Sequence, residues 1–139
     1  MAIACQQGGL RNDNFYSIML DGRIAYHDFE GEVTDPDEGP RLVANLGRHN
    51  LLILRNHGLL AIGRSVAQMY LAYWTLERAC QIQMAADSIA GAHVELPASV
   101  IAQSPARLRQ GSRPVQADGN SAIFAAMLRK AGIRYPDLV

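Results

Sequence analysis

The chain has 139 residues, of which 49% are apolar and 19% charged, and its 13 basic residues balance its 13 acidic ones. Its length suits one compact core, and this composition argues against intrinsic disorder and against a nucleic-acid partner. No apolar run reaches the roughly 20 residues that a membrane span needs, and the first five residues lack the basic start of a signal sequence. The sequence therefore predicts a single cytoplasmic domain over residues 1–139.

The cysteines carry no recognisable chemical pattern. Cys5 and Cys80 are too few for a disulfide framework, and their spacing is not that of a metal-ligand pair. Free thiols are usual in proteins of a reducing compartment. We interpret both cysteines as core residues.

The first zone contains two short segments rich in aromatic and β-branched residues, Phe15–Leu20 and Arg23–His27. They are joined by Asp21-Gly22, and both of these positions tolerate the positive φ that tight hairpin turns require. The pattern predicts a β-hairpin. A loop is then expected over Phe29–Gly39, followed by a short helix from about Pro40 to Gly47.

The second zone begins with two apolar runs of strand length, Leu51–Leu54 and Leu59–Ile62. The polar turn Asn56–Gly58 separates them. This arrangement predicts a second hairpin, which is buried on both faces because its strands have no polar alternation.

A long helix should follow that hairpin. Ser65–Gln68 has the spacing of a capping box, and apolar residues then recur at three and four positions to about Ile89. Gly91–Asn120 shows no sustained period and contains several prolines, so it is expected to be an irregular excursion. The domain should end with a helix over Ala122–Ala131 and a short tail.

His57 is the most conspicuous candidate functional residue, because it is the polar centre of the Asn56–Gly58 turn between two apolar strands. In one interpretation its neighbours supply unusual backbone angles and His57 is merely exposed. In another its imidazole is a metal ligand or a general acid or base. One histidine cannot hold a catalytic metal, however, and His27, His49 and His93 show no paired spacing.

A second candidate cluster follows the predicted strand that ends at His27. Asp28, Glu30 and Glu32 come within the next five positions, so an imidazole and several carboxylates could meet at the end of a strand. Charged residues after a strand more commonly form a solvated loop. The sequence leaves both interpretations open.

Several of these segments together resemble the class II aldolase/adducin family. Leu52–Leu59, followed by Ile62–Ser65 and by Leu76–Cys80, is similar to the family in order and spacing. Gly22–Gly31 also resembles it, particularly its bacterial members of unassigned substrate and its adducin branch. The resemblance covers about residues 15–90.

The resemblance implies an α/β fold, a three-layer α/β/α arrangement with a mainly antiparallel central sheet. It also implies a homo-oligomer, usually a tetramer, with active sites at subunit boundaries. In the family's enzymes, zinc or a similar divalent ion held by three histidines polarises a carbonyl during aldol cleavage or epimerisation of a sugar phosphate. A small sugar-phosphate-like substrate is the partner expected from that chemistry.

By this resemblance His57 matches the third metal-binding histidine. The first two form a His-x-His motif and, like the family's catalytic acidic residue and phosphate-binding loops, would come before Met1. The resemblance thus implies a domain truncated at its N-terminus, with His57 as the remaining metal ligand and without tight zinc binding. It also suggests that Tyr135 could reach a neighbouring active site.

Two functional hypotheses follow from these observations. The leading one is a partial class II aldolase-like domain, inactive as it stands, whose complete form is a metal-dependent lyase or epimerase acting on a small hydroxy-carbonyl. The alternative is a non-catalytic adducin-like module for oligomerisation or protein binding, since a fold does not imply its chemistry. In a third interpretation the resemblance at His57 is only structural, and the Asn56–Gly58 turn is retained for its backbone geometry.

Overall fold

A computed structural model describes residues 2–31, 37–103 and 117–133 of the chain. The elements in chain order are a 3₁₀-helix (Ala2–Cys5), α1 (Phe15–Ile18), β1 (Ile24–His27), α2 (Glu38–Leu46), β2 (Leu51–Leu54), β3 (Gly58–Ala61), α3 (Val66–Asp87), α4 (residues 98–103) and α5 (Ala117–Lys130). None of the helices in these ranges is both long and apolar enough to cross a membrane.

The three strands form one mixed sheet in the order β1–β2–β3. β1 and β2 are parallel, with His27 opposite Leu54 at their carboxyl ends, whereas β2 and β3 are antiparallel, with Leu51 opposite Ala61. Helix α2 lies in the crossover connection that a parallel pair requires. The expected α/β class is confirmed, but the described sheet is mixed rather than mainly antiparallel.

The hairpin predicted over residues 15–27 is wrong. Phe15–Ile18 is a helical turn, because Asn14 Oδ1 accepts hydrogen bonds from the backbone N–H groups of Tyr16 and Ser17, each at 3.0 Å. Ser17 Oγ in return accepts from the Asn14 N–H, also at 3.0 Å. This reciprocal capping overrides the strand preference of the aromatic residues. The second half of the segment is strand β1, and it pairs with β2 instead.

The second hairpin is confirmed, with Leu52 opposite Leu60 and Ile53 opposite Leu59. Its two strands differ in burial. Leu51, Leu52 and Ile53 are at most 1% exposed, whereas every residue of β3 is only partly buried. Burial on both faces therefore describes β2 and not β3, which lies at an edge of the described sheet.

The long helix is also confirmed, and its end at Asp87 is close to the predicted Ile89. Ser65 Oγ accepts from the Gln68 N–H at 3.2 Å, which is the first half of the predicted capping box. The second half differs, because Gln68 Oε1 accepts from the Arg64 N–H at 2.8 Å rather than from Ser65. Two side-chain hydrogen bonds still hold the start of the helix.

The remaining helices depart from expectation in their extent. Helix α2 agrees with the predicted Pro40–Gly47 to within two residues at each end. The zone Gly91–Asn120 is not wholly irregular, since α4 lies within it and α5 begins at Ala117, before the predicted Ala122. Residues 104–116 and Tyr135 lie outside the described residues.

The main core lies between the sheet and α3. It contains Leu51 and Ile53 of β2, the 3₁₀-helix residues Ile3 and Ala4, and Leu20, Ala72, Leu76, Ala79 and Cys80. Successive strand residues face opposite sides of a sheet, so Leu52 and its partner Ala25 face away from α3. His27 shares that second side, where its ring contacts α2 through Asn45. The site described next is therefore built between the sheet and α2.

Candidate functional site

A cleft opens at the carboxyl ends of β1 and β2. Parallel strands end at the same edge of a sheet, so the residues that follow each strand converge there. We call this space the His57 cleft, and its lining residues are His27, Asp28, Phe29, Glu30, Gly31, Glu38, Leu42, Leu54, Arg55 and His57. The structure thus brings His57 together with His27, Asp28 and Glu30, which the sequence suggested as a separate cluster.

His57 is exposed at the rim of this cleft, in a turn fixed by its backbone. The His57 N–H donates to Leu54 O at 3.1 Å, and the Asn56 N–H donates to Ala4 O at 3.0 Å. Asn56 has a φ of 55°, a left-handed conformation that asparagine tolerates better than most residues. These contacts fix the backbone of the turn that carries the imidazole. The positive φ of Asn56 agrees with the interpretation in which the neighbours of His57 supply unusual backbone angles.

Arg55 forms part of the wall, and its guanidinium is already engaged. Its Nη1 donates to Gln6 O at 2.8 Å and to Gln7 O at 3.1 Å, and the group lies 4.5 Å from the centre of the Tyr26 ring. A cation over an aromatic face is attracted by the ring's electron density. Arg55 consequently ties the N-terminal segment to the sheet beside the cleft.

The deepest polar side chain in the wall is His27, which is 4% exposed. Asn45 Nδ2 lies 2.7 Å from His27 Nδ1. Because an amide nitrogen only donates, Nδ1 accepts, and the neutral ring carries its hydrogen on Nε2. That Nε2 is buried and has no hydrogen-bond partner among the described residues.

Glu30 lies next to this nitrogen. Its Oε1 is 3.7 Å from His27 Nε2, which is beyond hydrogen-bond distance. Both carboxylate oxygens accept from Arg41 Nε at 3.0 Å. Asn45 and Arg41 belong to α2, so that helix fixes the positions of both His27 and Glu30 from one side.

Sequence reasoning missed Arg41 and Asn45. They lie four positions apart on α2, where side chains share one face of a helix. That spacing could have marked a polar stripe facing the sheet. Their partners, His27 and Glu30, are eighteen and eleven positions earlier in the chain, and local spacing alone does not reveal such pairings.

The residues present do not by themselves fit the three-ligand metal site that the family resemblance implied. No group of three or more His, Cys, Asp or Glu side chains is placed to hold an ion, as far as the described residues extend. His57 offers one imidazole, and His27 Nε2 carries the hydrogen in the neutral tautomer that Asn45 selects. A metal held by His57 would need ligands beyond these.

The cysteines lie elsewhere and differ from each other. Cys80 is buried in the main core as expected, and burial raises the pKa of its thiol to about 11. The thiol therefore stays protonated near neutral pH and is a poor nucleophile. Cys5 is exposed, so its assignment to the core is wrong.

Comparison with known proteins gives consistent matches. The model of the class II aldolase and adducin N-terminal domain matches residues 1–84. A protein of Pseudomonas aeruginosa named as a class 2 aldolase is 34% identical over 136 residues, which are 98% of this chain and 52% of that protein. Alpha-adducin of Rattus norvegicus is 36% identical over 93 residues, 66% of this chain and 12% of the adducin.

A solved structure agrees with these matches. The crystal structure of an aldolase II superfamily protein from Pseudomonas syringae superposes with a TM-score of 0.80 at 40% identity. The match covers 93% of this chain and 50% of that one. The chain thus spans about half the length of each of these two Pseudomonas proteins.

Proposed function

We propose that this chain, which belongs to the class II aldolase and adducin family, forms part of a divalent-metal-dependent lyase or epimerase. Its substrate would be a small sugar phosphate or related hydroxy-carbonyl compound. The observation that carries the proposal is the His57 cleft, which an exposed imidazole on a fixed turn lines together with the His27 imidazole at the end of β1 and the carboxylates that follow it. Convergence of such groups in a concave site is typical of binding and catalytic sites.

In this proposal His57 supplies one ligand to the metal. The remaining ligands come from outside the described residues, either from a neighbouring copy or from a longer form of the chain. Zinc is the metal that we favour, because imidazole nitrogen is one of its usual ligands. The chain alone would then bind zinc weakly and show no aldol activity.

We further propose that the chain assembles as a homo-oligomer in the cytoplasm. Large apolar side chains that are at least half exposed support self-association, among them Phe15, Val43 and Val66. They are spread over α1, α2 and the start of α3. A copy that covers one of these surfaces could also bring ligands towards the cleft.

A non-catalytic adducin-like module is the second candidate function. It is supported by the 36% identity with alpha-adducin over two thirds of this chain. The lack of a three-ligand cluster among the residues the structure describes also favours it. In this case the turn around His57 would have only a structural role, and the exposed apolar surfaces would bind other proteins.

Zinc titration with calorimetry and elemental analysis distinguishes these functions. We expect weak binding to the chain itself, and one ion per subunit in a longer chain extended upstream along the genomic reading frame. His57→Ala should abolish that stoichiometric binding, because it removes a ligand. His93→Ala is the matched control, since His93 contacts Asp87 and lies outside the cleft.

Two outcomes would contradict the leading function. The longer chain could bind no stoichiometric metal, which would favour the adducin-like module. Alternatively, His57→Ala could leave zinc binding unchanged in the longer chain, which would show that His57 is not a ligand.

A further inference from the structure

The His27–Glu30 pair leaves one hydrogen-bond donor without a described partner. Buried polar groups in folded proteins nearly always have hydrogen-bond partners, so a buried N–H without one needs a physical reason. His27 Nε2 is such a group, and Glu30 Oε1 lies just too far away to accept from it. A ligand group that accepts from His27 would satisfy the donor.

We propose that the His27–Glu30 pair binds one hydroxyl group of a small hydroxy-carbonyl ligand in the His57 cleft. This inference rests on the proposed function, since it assigns residues to the substrate of the same site. The contact between this pair and the hydroxyl group needs no metal ion. His27 and Glu30 are substrate-binding residues in this assignment, and Asn45 and Arg41 are positioning residues.

A hydroxyl group matches this pair because it both accepts and donates a hydrogen bond. Its oxygen would accept from His27 Nε2, and its hydrogen would be donated to Glu30 Oε1. A carbonyl oxygen could satisfy only the imidazole, and an ammonium group only the carboxylate. The pair therefore discriminates in favour of hydroxylated ligands.

The fixed neighbours define the roles of the two groups. Asn45 donates to Nδ1, so the neutral imidazole carries its hydrogen on Nε2 and acts there as a donor rather than a metal ligand. Arg41 holds the Glu30 carboxylate through both oxygens and offsets its charge. Glu30 is the more exposed member of the pair, at 31% against 4% for His27, and both residues line the cleft.

The rest of the cleft suits a short carbon chain. Leu42, Leu54 and Phe29 give it apolar surface, and Asp28 offers a further carboxylate for a second hydroxyl. The enclosed part of the cleft is small, so it suits a molecule of only a few carbon atoms. The contacts therefore favour a small ligand with more than one hydroxyl group, such as the hydroxy-carbonyl compounds of the proposed function.

The test uses dihydroxyacetone as the probe and acetone as its matched control without hydroxyl groups. Both are titrated into the ¹⁵N-histidine-labelled chain with a chelator present, so that metal makes no contribution. We expect the free protein to show His27 protonated on Nε2. Dihydroxyacetone should shift that resonance in a saturable way, and acetone should not.

Variants test the two halves of the pair. His27→Phe should weaken dihydroxyacetone binding roughly tenfold, the equivalent of one lost neutral hydrogen bond, whereas His27→Gln keeps a donor and should retain most of it. Asn45→Asp should move the imidazole hydrogen to Nδ1, visible in the ¹⁵N shifts, and should also weaken binding. Glu30→Ala removes the acceptor at a partly exposed position, so it provides the test should His27→Phe fail to fold.

Several results would overturn the inference. These are a His27 hydrogen on Nδ1 in the free protein, equal shifts with acetone and dihydroxyacetone, or unchanged binding in Glu30→Ala. Absence of saturable shifts up to the solubility of the probe would overturn it as well. None of these results depends on metal binding by His57, so failure here is distinguishable from failure of the proposed function.

Discussion

Gln83 shows at the residue scale how one polar side chain joins the N-terminal segment to α3. It is 1% exposed, its Oε1 accepts from the Arg11 N–H at 2.8 Å, and its Nε2 donates to Gly9 O at 3.1 Å. The segment from residue 6 to residue 11 has no helix or strand of its own to satisfy these backbone groups. The Gln83 amide takes the place of a strand partner there.

We expect Gln83→Ala to lower the free energy of unfolding by roughly 1–3 kcal/mol, because it leaves buried backbone groups unpaired. Gln81→Ala is the matched control, since Gln81 is exposed on the same helix and its loss should change stability by about 0.5 kcal/mol or less. Urea unfolding followed by circular dichroism measures both. Equal effects would show that the hydrogen bonds of Gln83 contribute nothing beyond helix propensity.

Asp87 provides a pH-dependent contact between the same two parts of the chain. The Arg11 guanidinium hydrogen-bonds its carboxylate and lowers the pKa of Asp87. A carboxyl group whose pKa is lower in the folded state stabilises the fold above its unfolded pKa, and this contribution is lost as the pH falls through the folded pKa. The contact should therefore matter at neutral pH and disappear in acid.

We accordingly expect Asp87→Asn to lower the thermal midpoint slightly at pH 7. The difference from the natural chain should shrink as the pH falls below the ordinary aspartate pKa of about 3.9. Thermal unfolding at a series of pH values measures this. A constant difference at every pH would exclude the ionised contact as its cause.

Some residues of the candidate site could be predicted from the sequence, and others could not. His57 could be identified because a polar residue between two apolar strands stands out locally. The polar neighbours of His27 could not, because Asn45 reaches it only when α2 folds across the sheet. Contacts between distant positions depend on the fold, whereas turn residues follow from local sequence.

At the scale of elements, the well-predicted parts are those whose signals are local. The β2–β3 hairpin and α3 were predicted from apolar runs and from the three- and four-residue period. The parallel pairing of β1 with β2 was not predicted, because no turn signal specifies it. The wrong hairpin arose where the Asn14–Ser17 capping contacts outweighed aromatic strand preference.

Helix α5 packs on the start of α3 through a small cluster of its own. Phe124 and Leu128 are buried against Ala67, and the Phe124 ring lies 5.1 Å from that of Tyr70. This cluster is separate from the main core between α3 and the sheet. Few buried apolar contacts make an element free to open locally without global unfolding.

We therefore expect Phe124→Ala to detach α5 while leaving the sheet folded. The substitution removes most of the apolar contact within the small cluster. A buried Phe→Ala change typically lowers the free energy of unfolding by about 3–5 kcal/mol. Amide hydrogen exchange should become faster in α5 and remain slow in β2. Ile123→Ala is the control, because Ile123 is 49% exposed on the same helix. Uniformly faster exchange across the chain would show that α5 and the sheet unfold as one unit.

At the scale of the whole molecule, α2 and α3 lie on opposite sides of the sheet and make different kinds of contact with it. The α3 side contains the main apolar core, whereas the α2 side contains the polar contacts of the His57 cleft. Under the proposed function, stability and ligand recognition would depend on different residues. Substitutions such as Glu30→Ala should consequently alter binding with little effect on the core.

The burial of the 3₁₀-helix near the N-terminus determines when this fold can be completed during protein synthesis. Ile3 and Ala4 pack in the core with Leu76 and Cys80, which the ribosome adds more than seventy residues later. At 5–20 residues per second, this interval lasts roughly 4–15 s. Throughout it these apolar side chains lack their native partners on α3, so the nascent chain exposes a segment that chaperones could bind.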